Sequence, residues 1–208
     1  DLFFADQARI CTDSGAQCVY IVDSAGGMLP AEIGDYIDAI REALPDIALG
    51  FHGHNNLGLG VANALYCSER GISVIDTSLQ GFGRSAGNTQ TEHFLAALIR
   101  AGFDCNYDPV DVMQAGEELV RPLMHDVGYS SLDITAGLAL FHSSYMSRVL
   151  KAAKAHRVDP RRLILALCRR DKVNAPSELI EEAAREVEAL HAPMSPLLVK
   201  QYFGEEQK

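Results

Sequence analysis

The chain has 208 residues, 48% hydrophobic and 22% charged, which suits a globular protein of one domain or one and a fraction with a sizeable core. Its formal charge of −10 leaves no basic stripe to neutralise phosphates, so a nucleic-acid partner is excluded. No apolar run reaches membrane-spanning length, no signal peptide is visible, and five irregularly spaced cysteines read as free thiols of a reducing cytoplasm.

A helix is predicted from Leu2 to Ser14. Val19–Val22 then forms a short apolar strand that runs into Asp23-Ser24-Ala-Gly-Gly27. Pro30 opens a second helix, whose apolar residues Ile33, Tyr36, Ile37, Ile40 and Leu44 fall at three- and four-residue steps. Pro45 stops it. A strand from Ile47 to His54 follows, then a helix around Leu59–Arg70 that ends at Gly71. Val74–Leu79 reads as a third strand, the loop Gly81–Asn88 follows, and Thr91–Ala101 is helical. These are three consecutive βα units, the pattern of a parallel sheet with helices outside. Beyond Pro109 the strand signal vanishes. Asp111 is expected to cap a helix to about Val120, and further helices are predicted over 132–156, 160–170 and 176–191.

The strongest chemical signal is His52-Gly53-His54. Alternation in a strand puts both imidazoles on one face, with Leu49 and Phe51 on the other. Two imidazoles at the carboxyl end of a strand make half of a divalent-metal site, and α/β barrels place their chemistry there. The other two strands also end in polar residues: Asp23 and Ser24, and Asp76 and Ser78. Asp76 reads either as a carboxylate ligand or as a group that orients one. The Gly81-x-Gly-x-x-x-Gly87 spacing departs from a dinucleotide fingerprint and suggests a tight loop with N–H groups facing the site. His142 is expected inside a helix. His93, His125, His156 and His191 carry no partner pattern and default to structural or solvated roles, and the Arg161-Arg162/Arg169-Arg170 cluster to a solvated face. Three strands cannot close a barrel of eight, so the chain is expected to be the C-terminal portion of a longer protein.

Together, His52-x-His54, Asn56-Leu-x-Leu-Gly-Val-Ala-Asn63, the strand ending at Asp76 and Gly81-x-Gly-x-x-Ala-Gly-Asn88 resemble the metal-dependent pyruvate aldolase and acyltransferase barrels. Those include isopropylmalate and homocitrate synthases, hydroxymethylglutaryl-CoA lyase and 4-hydroxy-2-oxovalerate aldolase. Tyr20-Ile-Val-Asp-Ser24-x-Gly-Gly-Met28 and the tail from Ile134 through Phe141-His-Ser-Ser-Tyr145 to the 178–190 helix are similar to the aldolase family in particular.

The resemblance implies an α/β fold: the last three βα units of a TIM barrel followed by a small all-helical domain. Residues 1–114 would be barrel, 115–130 a linker and 131–208 a helical communication-type domain. It implies His52 and His54 as ligands of a divalent metal, Mn²⁺ before Zn²⁺, Fe²⁺ or Co²⁺. Ser24 would contact substrate, and His142 would stand where the family offers a catalytic Tyr. The implied reaction cleaves a 4-hydroxy-2-oxo acid to pyruvate and an aldehyde in a cytoplasmic homo-oligomer, and an acylating aldehyde dehydrogenase is the implied partner. The family's Arg-Asp-Gly motif, which carries its third metal ligand, is absent. An acyl-CoA-dependent synthase and an inactive half-barrel scaffold are the alternatives.

Overall fold

A computed structural model describes residues 2–124 and 130–190. The expected positions His125 and His191 lie outside the described residues, as does the end of the 131–208 segment. Helix α1 (Leu2–Asp13) leads into β1 (Cys18–Asp23), α2 (Pro30–Ala43), β2 (Ala48–Gly53), α3 (Gly60–Glu69), β3 (Val74–Asp76) and α4 (Thr91–Arg100). The strands form one parallel sheet in the order β1-β2-β3, with Tyr20 opposite Gly50, Val22 opposite His52 and His52 opposite Asp76.

Strand alternation divides this sheet sharply. Ile21, Leu49 and Phe51 point to one face and are buried against Ile33, Ile37 and Ile40 of α2, Ala64 and Cys67 of α3, and Phe94 of α4. Helix α2 starts where the sequence predicts: Pro30 needs no N–H partner at the first helical position, and Glu32 accepts a hydrogen bond from the Leu29 N–H at 2.8 Å. The other face carries Tyr20, Val22 and Val74, which are 37%, 43% and 38% exposed, so among the described residues that face is uncovered. His52 and Asp76 project from this open face.

β3 stops at Asp76, three residues before the expected end. Beyond it Ser78 exchanges backbone hydrogen bonds with Thr89 and Thr91 and no longer follows β2. The next helix, α5 (Pro109–Ala115), is capped by Asp108, which accepts from the Val110 N–H at 2.8 Å; the expected cap Asp111 lies within its first turn.

Helices α6 (Ser131–Ala139), α7 (Met146–His156), α8 (Pro160–Arg170) and α9 (Ser177–Leu190) enclose a second, separate core. Its fully buried members include Met146, Val149, Leu163, Ile164, Leu167 and Ile180. The expected 132–156 helix is thus two helices. Leu140 adopts a left-handed conformation (φ 54°), and the His142 side chain caps the short turn Ser143–Tyr145 between them. Side chains that bond local backbone groups compete with helix hydrogen bonding, and this one wins.

Two arginines of the expected solvated cluster are paired: Arg161 with Asp159, and Arg170 with Glu182 and Glu186 of α9. No disulfide joins the five cysteines, and burial pushes the thiols of Cys67 and Cys168 up to about 12 and about 11, which keeps both protonated. No helix among the described residues is long and apolar enough to cross a membrane.

His156 clamps α7 to α9: its Nε2 lies 2.8 Å from Glu181 and its Nδ1 2.9 Å from Glu188. Both ring nitrogens donate only in the imidazolium form. The bonds to Glu188 and Glu181 raise its pKa above the ordinary value. A raised folded pKa stabilises below the unfolded value of about 6.5, and the gain is lost as pH rises through the folded pKa. The unfolding free energy measured by urea is therefore expected to fall as pH rises above about 6.5, by less than about 1 kcal/mol for a pair whose carboxylates are half exposed. His156→Gln should flatten that slope; an unchanged slope would sink the assignment.

Candidate metal centre and adjoining pocket

At the carboxyl end of the sheet, three loops are bonded to one another. His54 N–H donates to the Asp23 carbonyl (3.2 Å), Asn55 N–H to Gly87 (2.9 Å) and Leu57 N–H to Gly26 (3.0 Å). The Asn56 side-chain oxygen accepts from Ala86 N–H at 3.1 Å. Gly26 sits at φ +60°, and a Cβ there would lie 2.6 Å from the Asn56 nitrogen, so this close approach needs glycine. Asp23 does not face the site. Its carboxylate turns back to accept from Gly27 and Met28 N–H at 3.1 and 3.0 Å, and burial pushes its pKa upward.

The two histidines come together as expected, with ring centroids 5.4 Å apart. His54 is 5% exposed; burial, then the facing His52 and Arg84, push its pKa down to about 4. At neutral pH it is therefore the uncharged imidazole that metals bind. Its ring hydrogen-bonds to the backbone of Arg84 and Gly87, and its Nδ1 is buried with no partner among the described residues. A buried, bare nitrogen is costly unless a ligand completes it. His52 is half-buried, and its Nδ1 lies 3.2 Å from Asp76 Oδ2, which leaves Nε2 for an ion. The pair fits a divalent metal as two nitrogen donors. Among the described residues no third His, Cys, Asp or Glu completes a metal-holding group, so Asp76 sits beside the pair rather than joining it.

Ser24 and His142 are also brought together, by the helical tail. They line one pocket of about 300 Å³ with Leu140, Ser144, Tyr145 and Lys172. The His142 Nδ1 accepts from the Ser144 N–H at 3.2 Å and lies 2.8 Å from its hydroxyl. A backbone N–H can only donate, so the ring proton is on Nε2. Burial, then Arg84, lowers the His142 pKa and keeps the ring neutral.

Sequence reasoning missed two residues. Arg84 acts electrostatically on both His54 and His142 and so links the histidine pair to the pocket; an arginine within a glycine loop was its only signal. The Tyr20 ring lies over Gly50 of β2, and nothing local marks it. Several N–H groups of the glycine loop are bonded within and between the loops. Those of Ala86, Gly87 and Asn88 donate to Asn56, Arg84 and Gly81.

Parallel strands joined through helices, with two histidines at the carboxyl end of β2, define an α/β protein. Residues 2–120 match the family described as HMGL-like, and the chain belongs to that family. It is similar to the 4-hydroxy-2-oxovalerate aldolase of Chloroflexus aurantiacus, 39% identical over 188 residues, which cover 90% of this chain and 54% of that one. It is also similar to 4-hydroxy-2-oxovalerate aldolase 2 of Rhodococcus opacus, 41% identical over 186 residues, covering 88% and 53%. The chain spans about half the length of the curated relatives it matches. The carboxyl transferase domain of Rhizobium etli pyruvate carboxylase superposes with a TM-score of 0.69 at 20% identity, over 91% of this chain and 34% of that one, a likeness of fold.

Proposed function

We propose that the chain is the metal-holding, C-terminal part of an aldolase that cleaves a 4-hydroxy-2-oxo acid to pyruvate and an aldehyde. The observation that carries the reading is the His52–His54 pair, in which His54 is neutral, buried and bare at Nδ1. In this reading residues 1–114 are the last three βα units of a barrel, 115–130 a linker and 131–208 a helical communication-type domain. The uncovered sheet face and the separate helical core support that division. His52 and His54 would hold the ion, with Mn²⁺ the first choice, and the third ligand would come from the rest of the barrel.

When bound, the ion supplies Lewis-acid stabilisation of charge developing on the keto oxygen of a 2-oxo acid. The chain's own residues do the rest. Ser24 contacts substrate in the shared pocket. His142, with its proton on Nε2 and its Nδ1 engaged by Ser144, donates a hydrogen bond to the C4 oxygen after a base from the rest of the barrel takes the C4 hydroxyl proton; the C3–C4 bonding electrons then pass to the pyruvate enolate and C4 becomes the aldehyde carbonyl. Its occupied Nδ1 makes it a donor in this step rather than the base. The nascent aldehyde would pass to a partner acylating aldehyde dehydrogenase in a cytoplasmic homo-oligomer, as the resemblance to the aldolase family implies.

The test is pyruvate release from 4-hydroxy-2-oxovalerate by the intact gene product, before and after chelation. Activity should vanish on chelation and return with Mn²⁺; activity that survives metal removal would end the proposal. His142→Phe, which removes the donor, is expected to lower kcat about 10²-fold with metal content unchanged. A wild-type kcat in that variant would remove His142 from the mechanism.

A further inference from the structure

We propose that Tyr20 and Asp76 form a relay that positions His52, so that three neighbouring strands jointly fix one ligand imidazole. The inference rests on His52 being a metal ligand.

The register aligns the parts. Tyr20 is opposite Gly50 on β1 and β2, and His52 is opposite Asp76 on β2 and β3, all on the open face of the sheet. Gly50 leaves a gap that the tyrosine ring fills. A Cβ at Gly50 would lie 2.6 Å from Cε1 and Cζ of Tyr20, a separation atoms do not tolerate, so the ring lies directly over the Gly50 backbone. Crossing β2 in this way points the Tyr20 hydroxyl toward Asp76 on the far strand. A tyrosine hydroxyl carries its proton at neutral pH and can donate it to that carboxylate.

Asp76 Oδ2 is in turn 3.2 Å from His52 Nδ1. A carboxylate that accepts from Nδ1–H fixes the tautomer whose Nε2 lone pair is free, fixes the ring plane and increases the basicity of the ligand nitrogen. Asp76 alone would do this poorly, because its side chain is 47% exposed and has freedom to turn. The tyrosine anchors it from the far side of β2. The relay also accounts for glycine at position 50, two residues before a ligand, since any larger residue would lift the ring away from the aspartate.

The experiment is a Co²⁺ titration of the intact gene product, followed by visible ligand-field absorption, with the melting temperature of the metal-free protein measured beside it. Tyr20→Phe removes one hydroxyl and no charge; it is expected to weaken Co²⁺ binding about tenfold, and Asp76→Asn by up to about a hundredfold. Melting of the metal-free protein should stay at the wild-type temperature in Tyr20→Phe. Because Tyr20 acts through Asp76, the double variant should bind no more weakly than Asp76→Asn alone. Gly50→Ala, which displaces the ring, should reproduce the Tyr20→Phe loss.

Wild-type Co²⁺ affinity in Tyr20→Phe, or full additivity in the double variant, would overturn the relay. His52→Ala separates the two levels. If it loses Co²⁺ while Tyr20→Phe does not, only the relay fails. If His52→Ala itself binds Co²⁺ normally, the metal centre fails and the relay with it.

Discussion

His52→Ala and His54→Ala are each expected to abolish metal retention and to lower kcat/KM for pyruvate formation by on the order of 10³-fold or more. The magnitude follows from two figures. Lewis-acid stabilisation by a bound divalent ion amounts to several kcal/mol of barrier. Each 1.36 kcal/mol is a factor of ten in rate, so losing about 4 kcal/mol gives roughly 10³. The two variants should differ in their side effects. His54 is buried, and its backbone N–H anchors β2 to Asp23 whatever the side chain, so His54→Ala keeps that bond and leaves a small cavity. His52 is half-buried and bonded to Asp76, so His52→Ala releases that carboxylate but opens no buried space. Metal content by mass spectrometry, circular dichroism and steady-state rates together make the check. Stoichiometric metal in both variants would show that the imidazoles are not ligands.

The histidine pair was legible because strand alternation is local: residues two apart share a face whatever surrounds them. Pro30 and the buried stripe Ile33-Ile37-Ile40 were legible for the same reason, since helix starts and helical periodicity act within one element. What escaped was set by contacts between elements. Asp23 looks like a site carboxylate from its place at a strand end, yet the Gly27 and Met28 N–H groups claim it. Tyr20 reads as one more apolar strand residue, and only the register against Gly50 and Asp76 gives it a task. The continuous helix expected over 132–156 fails at Leu140, where a His-Ser-Ser run can cap a new turn and periodicity alone gives no sign of it. The pocket shared by Ser24 and His142 spans more than a hundred residues of sequence, and it exists only because α6 docks on the loop after β1.

That docking has one point of no tolerance, and Gly27→Ala should expose it. A Cβ at position 27 would lie 2.2 Å from the carbonyl oxygen of Gly137 in α6. The obstacle is backbone within a helix, which cannot rotate away as a side chain would. The loop cannot retreat freely either, because the Gly27 N–H is bonded to the buried Asp23 carboxylate and Gly26 is pressed against Asn56. Overpacking of this kind costs about 1–3 kcal/mol, which lowers the melting temperature of a chain this long by several degrees. The functional loss should exceed what stability alone predicts. His142 lies just beyond the end of α6, so pushing α6 outward separates it from Ser24 and opens the pocket they line. A fall in kcat/KM of at least about tenfold is expected, since a misplacement near 1 Å costs up to about 10² in rate. Gly137→Ala is the matched comparison. Its Cβ would first meet Leu57 Cγ at 2.9 Å, a side chain able to shift, so its penalty should be the smaller of the two. Equal effects at both positions, or wild-type melting and kinetics in Gly27→Ala, would show that α6 is not locked to the sheet through this contact.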